Sequence, residues 1–439
     1  MTAAPEPEDP RARVPAAPAE PPPTRVAYIV SRFPHVSETF IVRELSAVAE
    51  HRGVHVELCS LFPAVDPTVH PAARPWLGRL RRPGALAALL ALAWWLRRRP
   101  LRLISTVGRV SAAHARRPAI LVRALATVPL AAAHARTLAS LGVDHIHAHF
   151  ATYPALAAWT CRRLTGIGYS FTAHAHDLYV DQSHLREKVG DARFAVAVSE
   201  FNRRYLRAYG GDAATPVHVV HCGIDPGAYR FRPRAPAPAG PVRALCVASL
   251  QEYKGHRVLL EALAGAGGEL RRLELDLVGG GVLREELAAL AGRLGVADRV
   301  RFHGSLPEPE VAALLERADL FVLPSVVARN GQMEGLPVAL MEALACGVPA
   351  VSTRLSGIPE IVRDGETGLL ADPGGPASLR GALLRVLDDP AGARSRAVAG
   401  RRLVEREFDV RASGRRLAEL FEHMSRDGAP AQGSDRRGR

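Results

Sequence analysis

The chain is predicted to fold as two α/β halves, each a parallel, doubly wound sheet with helices on both faces. Three observations predict it. Short apolar runs suited to strands alternate with helical patterns along most of the chain, as strands joined by crossover helices require. A Pro/Ala/Arg stretch at 226–241 interrupts that alternation, which then resumes. A length of 439 residues also exceeds what one ordinary core accommodates. The expected layout is a disordered tail at 1–24, a first half at 25–225, a linker at 226–241 and a second half at 242–407. A final helix at 408–426 and a disordered tail at 427–439 complete it.

Residues 25–31 read as the first strand, followed by the loop 33–40 and an amphipathic helix to about His51. Ser37 suits the cap of that helix and Glu38 its first turn. Further strands are expected at 54–60, 144–150, 169–173, 194–199 and 216–221. In the second half they are expected at 243–249, 273–278, 300–303, 320–323 and 348–353, with helices near 377–387, 398–407 and 410–424. Residues 84–96 are an Ala/Leu/Trp run flanked by Arg79, Arg81 and Arg82 on one side and Arg97, Arg98 and Arg99 on the other. The run is too short to span about 30 Å of hydrocarbon. Two readings stay open: a buried helix, or a helix lying in a membrane interface and drawn to anionic lipid.

Composition bounds the class. With 48% hydrophobic and 23% charged residues the chain is globular. Cys59, Cys161, Cys222, Cys246 and Cys346 are scattered, form no Cys-x-x-Cys and suit reduced thiols in a cytoplasmic protein. The first 24 residues lack the basic and apolar regions of a secretory signal. The net charge of +13 rests on arginine, since only Lys188 and Lys254 are lysine. No nucleic-acid partner is expected, because no helix-turn-helix, zinc-finger or RNP-type motif accompanies the charge. An anionic membrane surface is the better candidate, giving a peripheral location on its inner face.

The stretch 324–370 carries the clearest chemistry. It reads Glu334-Gly-Leu-Pro-Val-Ala-Leu-Met-Glu342, then Ala-Cys-Gly347-Val-Pro349 and Ser356-Gly-Ile-Pro-Glu360. Pro337 suits a first helical turn and Gly347 the left-handed residue that ends a helix. Glu334 then lies in the loop before the helix and Glu342 inside it. The helix start offers unpaired N–H groups to an anion. Two carboxylates beside such a site make sense when they grip hydroxyls of the same ligand, and sugar hydroxyls next to a phosphate describe a nucleotide sugar. The bland alternative is a helix with a solvated Glu at each end. Gly279-Gly280-Gly281 does not complete a dinucleotide-binding motif.

Lys254 stands in a strand-to-helix turn, where a compact ammonium suits a diphosphate. His174, in Thr172-Ala-His174-Ala-His176-Asp177, lies just past a strand, where open α/β sheets bind ligands. His145, His147 and His149 alternate along one strand and share a face. They are spread over about 13 Å, too far for all three to reach one ion. No metal site is assigned to them, and they are expected to line the cleft.

These motifs resemble those of the family 4 retaining glycosyltransferases, of GT-B fold: two Rossmann-like domains facing across a cleft, with a C-terminal helix crossing back to the first. The positions Glu334, Gly335, Pro337, Glu342, Ala343, Gly347, Pro349, Ser356, Gly357 and Glu360 carry the resemblance, with Lys254 and Gly255 matching the end of the family's Gly-Arg-x-x-x-x-Lys-Gly pattern. Ser249 stands where that pattern has arginine, so one leaving-group cation is missing, with Arg257 and Arg329 as candidate substitutes. Residues 31–41, 147–151 and 171–177 further resemble exopolysaccharide-assembly transferases of the colanic-acid type.

The resemblance implies catalytic His174, Lys254 and Glu334, and a donor site of Ser249, Lys254, Gly255, Glu334, Gly335, Leu336, Pro337 and Glu342. Within it Glu342 would bond the ribose and Glu334 the sugar. Ser37, Glu38, Thr39, His147, His149, His176 and Asp177 would stand on the acceptor side. The implied activity is retaining hexosyl transfer from a nucleoside-diphosphate sugar to a glycan or lipid-linked acceptor, without a cofactor. The rivals are a sugar-nucleotide epimerase or glycan phosphorylase of the same fold, and a non-catalytic nucleotide-sugar-binding protein.

Overall fold

The computed structural model describes residues 22–35, 38–65, 69–210, 214–237, 239–264 and 268–427. Two all-parallel sheets organise them. The first comprises β1 (Thr24–Arg32), β2 (Val54–Phe62), β3 (Leu80–Arg81), β4 (His145–His149), β5 (Gly168–Ala173), β6 (Phe194–Ala197) and β7 (Val217–Val219), in the order β3-β2-β1-β4-β5-β6-β7. The second comprises β8 (Val242–Val247), β9 (Leu273–Val278), β10 (Val300–Gly304), β11 (Leu320–Leu323), β12 (Ala350–Thr353) and β13 (Leu369–Ala371), ordered β10-β9-β8-β11-β12-β13. In each sheet the order reverses beside the first strand, which opens a crevice at the carboxyl ends of the strands.

Sequence patterning anticipated these strands except β3 and β13. Both are edge strands of two and three residues, too short to display a period. The helix Thr39–Ala49 begins after Glu38, so Glu38 occupies the cap position rather than the first turn. Ser37, the expected cap, lies outside the described residues, as do 1–21 and 428–439 of the two tails. The helix expected at 398–407 is longer, Pro390–Glu407, because Asp389 accepts a hydrogen bond from Gly392 N and caps it.

The chain passes between the halves twice, and the passages are bonded to each other. Ile224 N donates to Phe408 O and Val410 N to Ile224 O. Beyond this crossing the helix Val410–Asp427 packs on Thr39–Ala49, with Phe421 buried among Tyr28, His145, His147 and Phe194. A C-terminal helix thus crosses back onto the first half. Glu360 forms a further tie: its carboxylate accepts from Glu200 N (3.1 Å) and Phe201 N (3.3 Å), capping the first-half helix Glu200–Gly210. Gly357 permits this approach, since a Cβ there would lie 2.7 Å from Gly335 O and 2.9 Å from the Ser199 side chain.

The Ala/Leu/Trp run forms the helix Ala85–Arg98, and both readings of it contain part of the answer. Ala88, Ala91 and Trp95 face the core, where Trp95 Nε1 donates to Ala132 O at 2.9 Å. The opposite stripe is open, with Leu86 at 70%, Leu89 at 61% and Leu90 at 58% exposure. The helix Pro118–Ser140 is long and apolar enough to cross a bilayer by length and composition. Its buried residues pack in the first half's core against Ala85–Arg98 and Tyr153–Thr165.

Candidate active site

A cavity of about 570 Å³ lies where the carboxyl ends of the two sheets face each other. Phe150, His174, Val198 and Cys222, which follow β4 to β7, line it from the first half, with Glu38 and Phe40 at the start of the Thr39–Ala49 helix. Ser249, Lys254, Leu323 and the segment Glu334–Ala339 line it from the second. The helix Val338–Cys346 follows Pro337 and ends on Gly347 at φ 80°, so its unpaired amide end opens on the cavity.

Lys254 and Glu334 meet there. Lys254 Nζ lies 2.5 Å from Glu334 Oε2, and both side chains are largely shielded. Burial works to lower the Lys254 pKa, but the Glu334 carboxylate and Tyr253 outweigh it, so the net shift is upward. Gly255 makes the turn behind this lysine at φ 75°, where a Cβ would stand 1.8 Å from Pro324 O. It shapes the site without lining it.

Glu342 stands apart from Lys254 and Glu334 in this structure. It does not line the cavity. Its Oε1 is held by Arg43 Nη1 at 3.3 Å and by the Tyr229 hydroxyl at 2.9 Å. Arg43 also reaches Glu308 at 3.2 Å, and Glu308 pairs with His70 at 2.7 Å. Burial pushes the Glu342 carboxyl up, against the opposing pull of Arg43 and Tyr229. The first half and the linker therefore occupy the carboxylate expected to meet a ribose.

The Ser249 position has no arginine in compensation from the two candidates. Arg257 pairs with Glu286, and Arg329 with Glu252 at 3.1 Å. Neither lines the cavity; among the described residues Lys254 is the only lysine or arginine that does.

Of the residues expected on the acceptor side, Glu38 and His176 line the cavity, and Thr39 does not. His147, His149 and Asp177 are buried inside the first half instead of lining the cleft. The helix carrying Phe421 covers the histidine face, and β5 supplies hydroxyl partners: His147 bonds Ser170 Oγ at 2.8 Å and Thr172 Oγ1 at 3.0 Å. Asp177 turns inward to accept from Ala151 N (2.7 Å) and His174 N (3.1 Å), holding the backbone beside the site. Burial pushes its carboxyl pKa up despite those bonds.

Sequence reasoning missed Arg43, Tyr229 and Glu44. Arg43 and Tyr229 carry no local signal, because their partners are far away in the chain. Glu44 has one: it is an acid on the buried stripe of Thr39–Ala49, with Ile41, Leu45 and Val48.

Two Rossmann-like sheets with this interdomain cavity define a GT-B glycosyltransferase fold. The sequence matches glycosyl transferases group 1 over residues 230–402 and glycosyltransferase family 4 over 109–228. It is 35% identical over 263 residues, 57% of this chain and 69% of the relative, to the GDP-mannose-dependent alpha-(1-6)-phosphatidylinositol monomannoside mannosyltransferase of Mycolicibacterium smegmatis. The chain belongs to the family 4 glycosyltransferases. It is also 37% identical over 215 residues, 49% of this chain, to the amylovoran biosynthesis glycosyltransferase AmsK of Erwinia amylovora. The identity is 37% over 213 residues, 47% of this chain, to the putative colanic acid biosynthesis glycosyltransferase WcaL of Escherichia coli. Those two matches span about half of each relative, 53% and 51%. Among solved structures, the sucrose-phosphate synthase of Thermosynechococcus elongatus superposes with a TM-score of 0.69 at 20% identity, over 92% of this chain and 100% of that one. Anabaena HepE in complex with UDP gives 0.66 at 19%, over 91% and 100%.

Proposed function

We propose that this chain is a retaining hexosyltransferase that moves a sugar from a nucleoside-diphosphate sugar to a glycan or lipid-linked acceptor in exopolysaccharide or cell-surface glycan assembly. The observation that carries the proposal is the meeting of Lys254 and Glu334 at the amide end of Val338–Cys346, across the cavity from His174. Lys254 and those amides stabilise charge building on the departing diphosphate, a role strengthened in a closed, dry cleft. Glu334 and His174 bond hydroxyls of the sugar, and Glu342 takes the ribose once Arg43 yields. The bond from the sugar's anomeric carbon to the diphosphate breaks, and the bond to the acceptor oxygen forms on the same face. The acceptor's proton passes to the departing phosphate oxygen. The names of the relatives, and the UDP bound in HepE, support this class of donor.

Thermal stabilisation by UDP, GDP and their sugars, followed by product analysis with a labelled donor, tests the proposal. Transfer to an acceptor, or slow donor hydrolysis without one, is expected. Epimerised donor, phosphorolysis products or binding without turnover would point to the rivals instead.

The location we propose is the cytoplasmic face of an anionic membrane. The chain has thirteen arginines and no acidic residue between Asp66 and Asp144, a charge equal to its whole formal excess of +13. Within this segment Leu86, Leu89 and Leu90 stand open beside Leu101 and Ile104 of the next helix, Pro100–His114. Exposed apolar side chains among arginines suit an anionic bilayer. Flotation with phosphatidylglycerol vesicles should recover the protein, and with phosphatidylcholine alone should not. Replacing Leu86, Leu89 and Leu90 by serine should abolish flotation without changing nucleotide affinity; undiminished flotation would refute the docking face.

A further inference from the structure

Beneath the cavity runs a file of buried polar groups that ends on His174 at its wall. Glu44 Oε1 lies 2.9 Å from His149 Nε2 and 3.4 Å from the Tyr28 hydroxyl. His149 Nδ1 lies 3.2 Å from His174 Nε2. The other nitrogen of His174, Nδ1, is 3.9 Å from Cys222 Sγ, and both of these residues line the cavity. Phe40 and Phe150 hold the His174 ring, with centroids at 4.8 Å and 4.7 Å. Phe150 has φ 76°, an uncommon backbone state for a bulky residue and one that costs energy to hold.

This order of groups dictates where the protons sit. An ionised carboxylate only accepts, so His149 must carry its proton on Nε2. With that single ring proton His149 offers a lone pair at Nδ1, to which His174 donates from Nε2. The Nδ1 of His174 is left as an acceptor at the cavity wall, where a ligand hydroxyl would take the place of the long contact from the Cys222 thiol. We propose that Glu44, acting through His149, is a positioning residue that locks His174 in its Nε2–H tautomer, so that Nδ1 accepts a hydrogen bond from a hydroxyl of the donor sugar. The last clause rests on the proposed transferase reading; the tautomer does not. Burial holds the His174 pKa well below the usual imidazole range, so its ring stays neutral.

A metal is the competing occupant. Ligand atoms of Glu44, His147 and His149 lie within 4.8 Å of one another. However, Ser170 and Thr172 engage both nitrogens of His147. The geometry favours a hydrogen-bonded file over an ion.

The test uses the full-length protein labelled with ¹⁵N-histidine and no substrate, with His174 signals identified by their loss in His174→Gln. Two-bond ¹⁵N–¹H spectra should show His174 protonated on Nε2. Glu44→Ala should turn it into a mixture of tautomers. So should His149→Phe, which keeps a ring between Tyr28 and His174 but removes the acceptor. Where transfer is measurable, Glu44→Ala should lower kcat/KM by about ten- to a hundredfold. It should add little further loss in a His174→Gln background. A His174 proton on Nδ1 in the unaltered protein, spectra unchanged in both variants, or one equivalent of bound metal by elemental analysis would overturn the proposal. Failure to find any donor would defeat the transferase reading while leaving the spectra to decide the relay.

Discussion

Lys254 and Arg43 are the two cations whose placement decides how an anionic ligand meets this cavity. Lys254 faces it, and its raised pKa means that the ammonium keeps its charge above the ordinary lysine value of 10.5. Lys254→Ala should lower turnover by roughly a hundredfold or more with circular dichroism unchanged; near-normal turnover would remove the lysine from the mechanism. Arg43 instead holds Glu342 through bonds of 3.3 and 3.4 Å. If a ribose must displace it, Arg43→Ala should tighten nucleoside-diphosphate binding several-fold by titration calorimetry. Weaker binding would mean that the guanidinium contacts the ligand itself. Glu334 and Lys254 were legible from motif spacing because each belongs to a local turn. Arg43 was not, since 299 residues separate it from Glu342.

At the scale of elements, the halves are joined by caps and covers more than by the linker alone. Glu360 is the clearest case. Burial would raise its pKa, but His221 at 3.1 Å and two backbone N–H groups outweigh this and lower it. A lowered carboxylate pKa contributes stability at neutral pH that is lost as pH falls through the folded value. Glu360→Ala should cost about 1 kcal/mol, the usual worth of a lost helix cap, in urea denaturation at pH 7. That difference should shrink as the pH approaches 4; a constant difference would deny Glu360 its ionic role. The C-terminal helix is the other join. Phe421 is fully buried against the first half, so Phe421→Ala should cost about 3–5 kcal/mol in the same measurement. The helix was readable from its amphipathic pattern; the surface it covers was not.

For the molecule as a whole, buried histidines contribute to the loss of stability in acid. Burial lowers His134 to about 4, against a partial restoring bond to Ser60 O, and lowers His145 to about 3. Both are neutral in the fold, while the unfolded chain takes up protons near 6.5. The unfolded state therefore binds more protons between those values, and stability falls as pH drops below 6.5. Each histidine contributes up to about 1.4 kcal/mol per pH unit to that slope. His145→Phe, which can keep the stacking on Phe194, should flatten the fall in melting temperature between pH 6.5 and 4.5. An unchanged slope would show that His145 does not titrate with unfolding. The +13 net charge was visible at once in the composition, but which apolar side chains of the arginine-rich segment stay open, Leu86, Leu89 and Leu90 among them, emerges only when the helices are packed.

Strand and helix periods, the Gly and Pro positions around Glu334, and the turn at Lys254 were determined by the chain alone. They depend on neighbours within a few residues, whose stereochemistry the order of side chains dictates. The assignment of Glu342 to Arg43, of Glu360 to a helix of the other half, and of His147 and His149 to the interior was decided only by tertiary structure. Each depends on which distant segment arrives opposite, and a polar side chain bonds whatever donor or acceptor burial leaves within its reach.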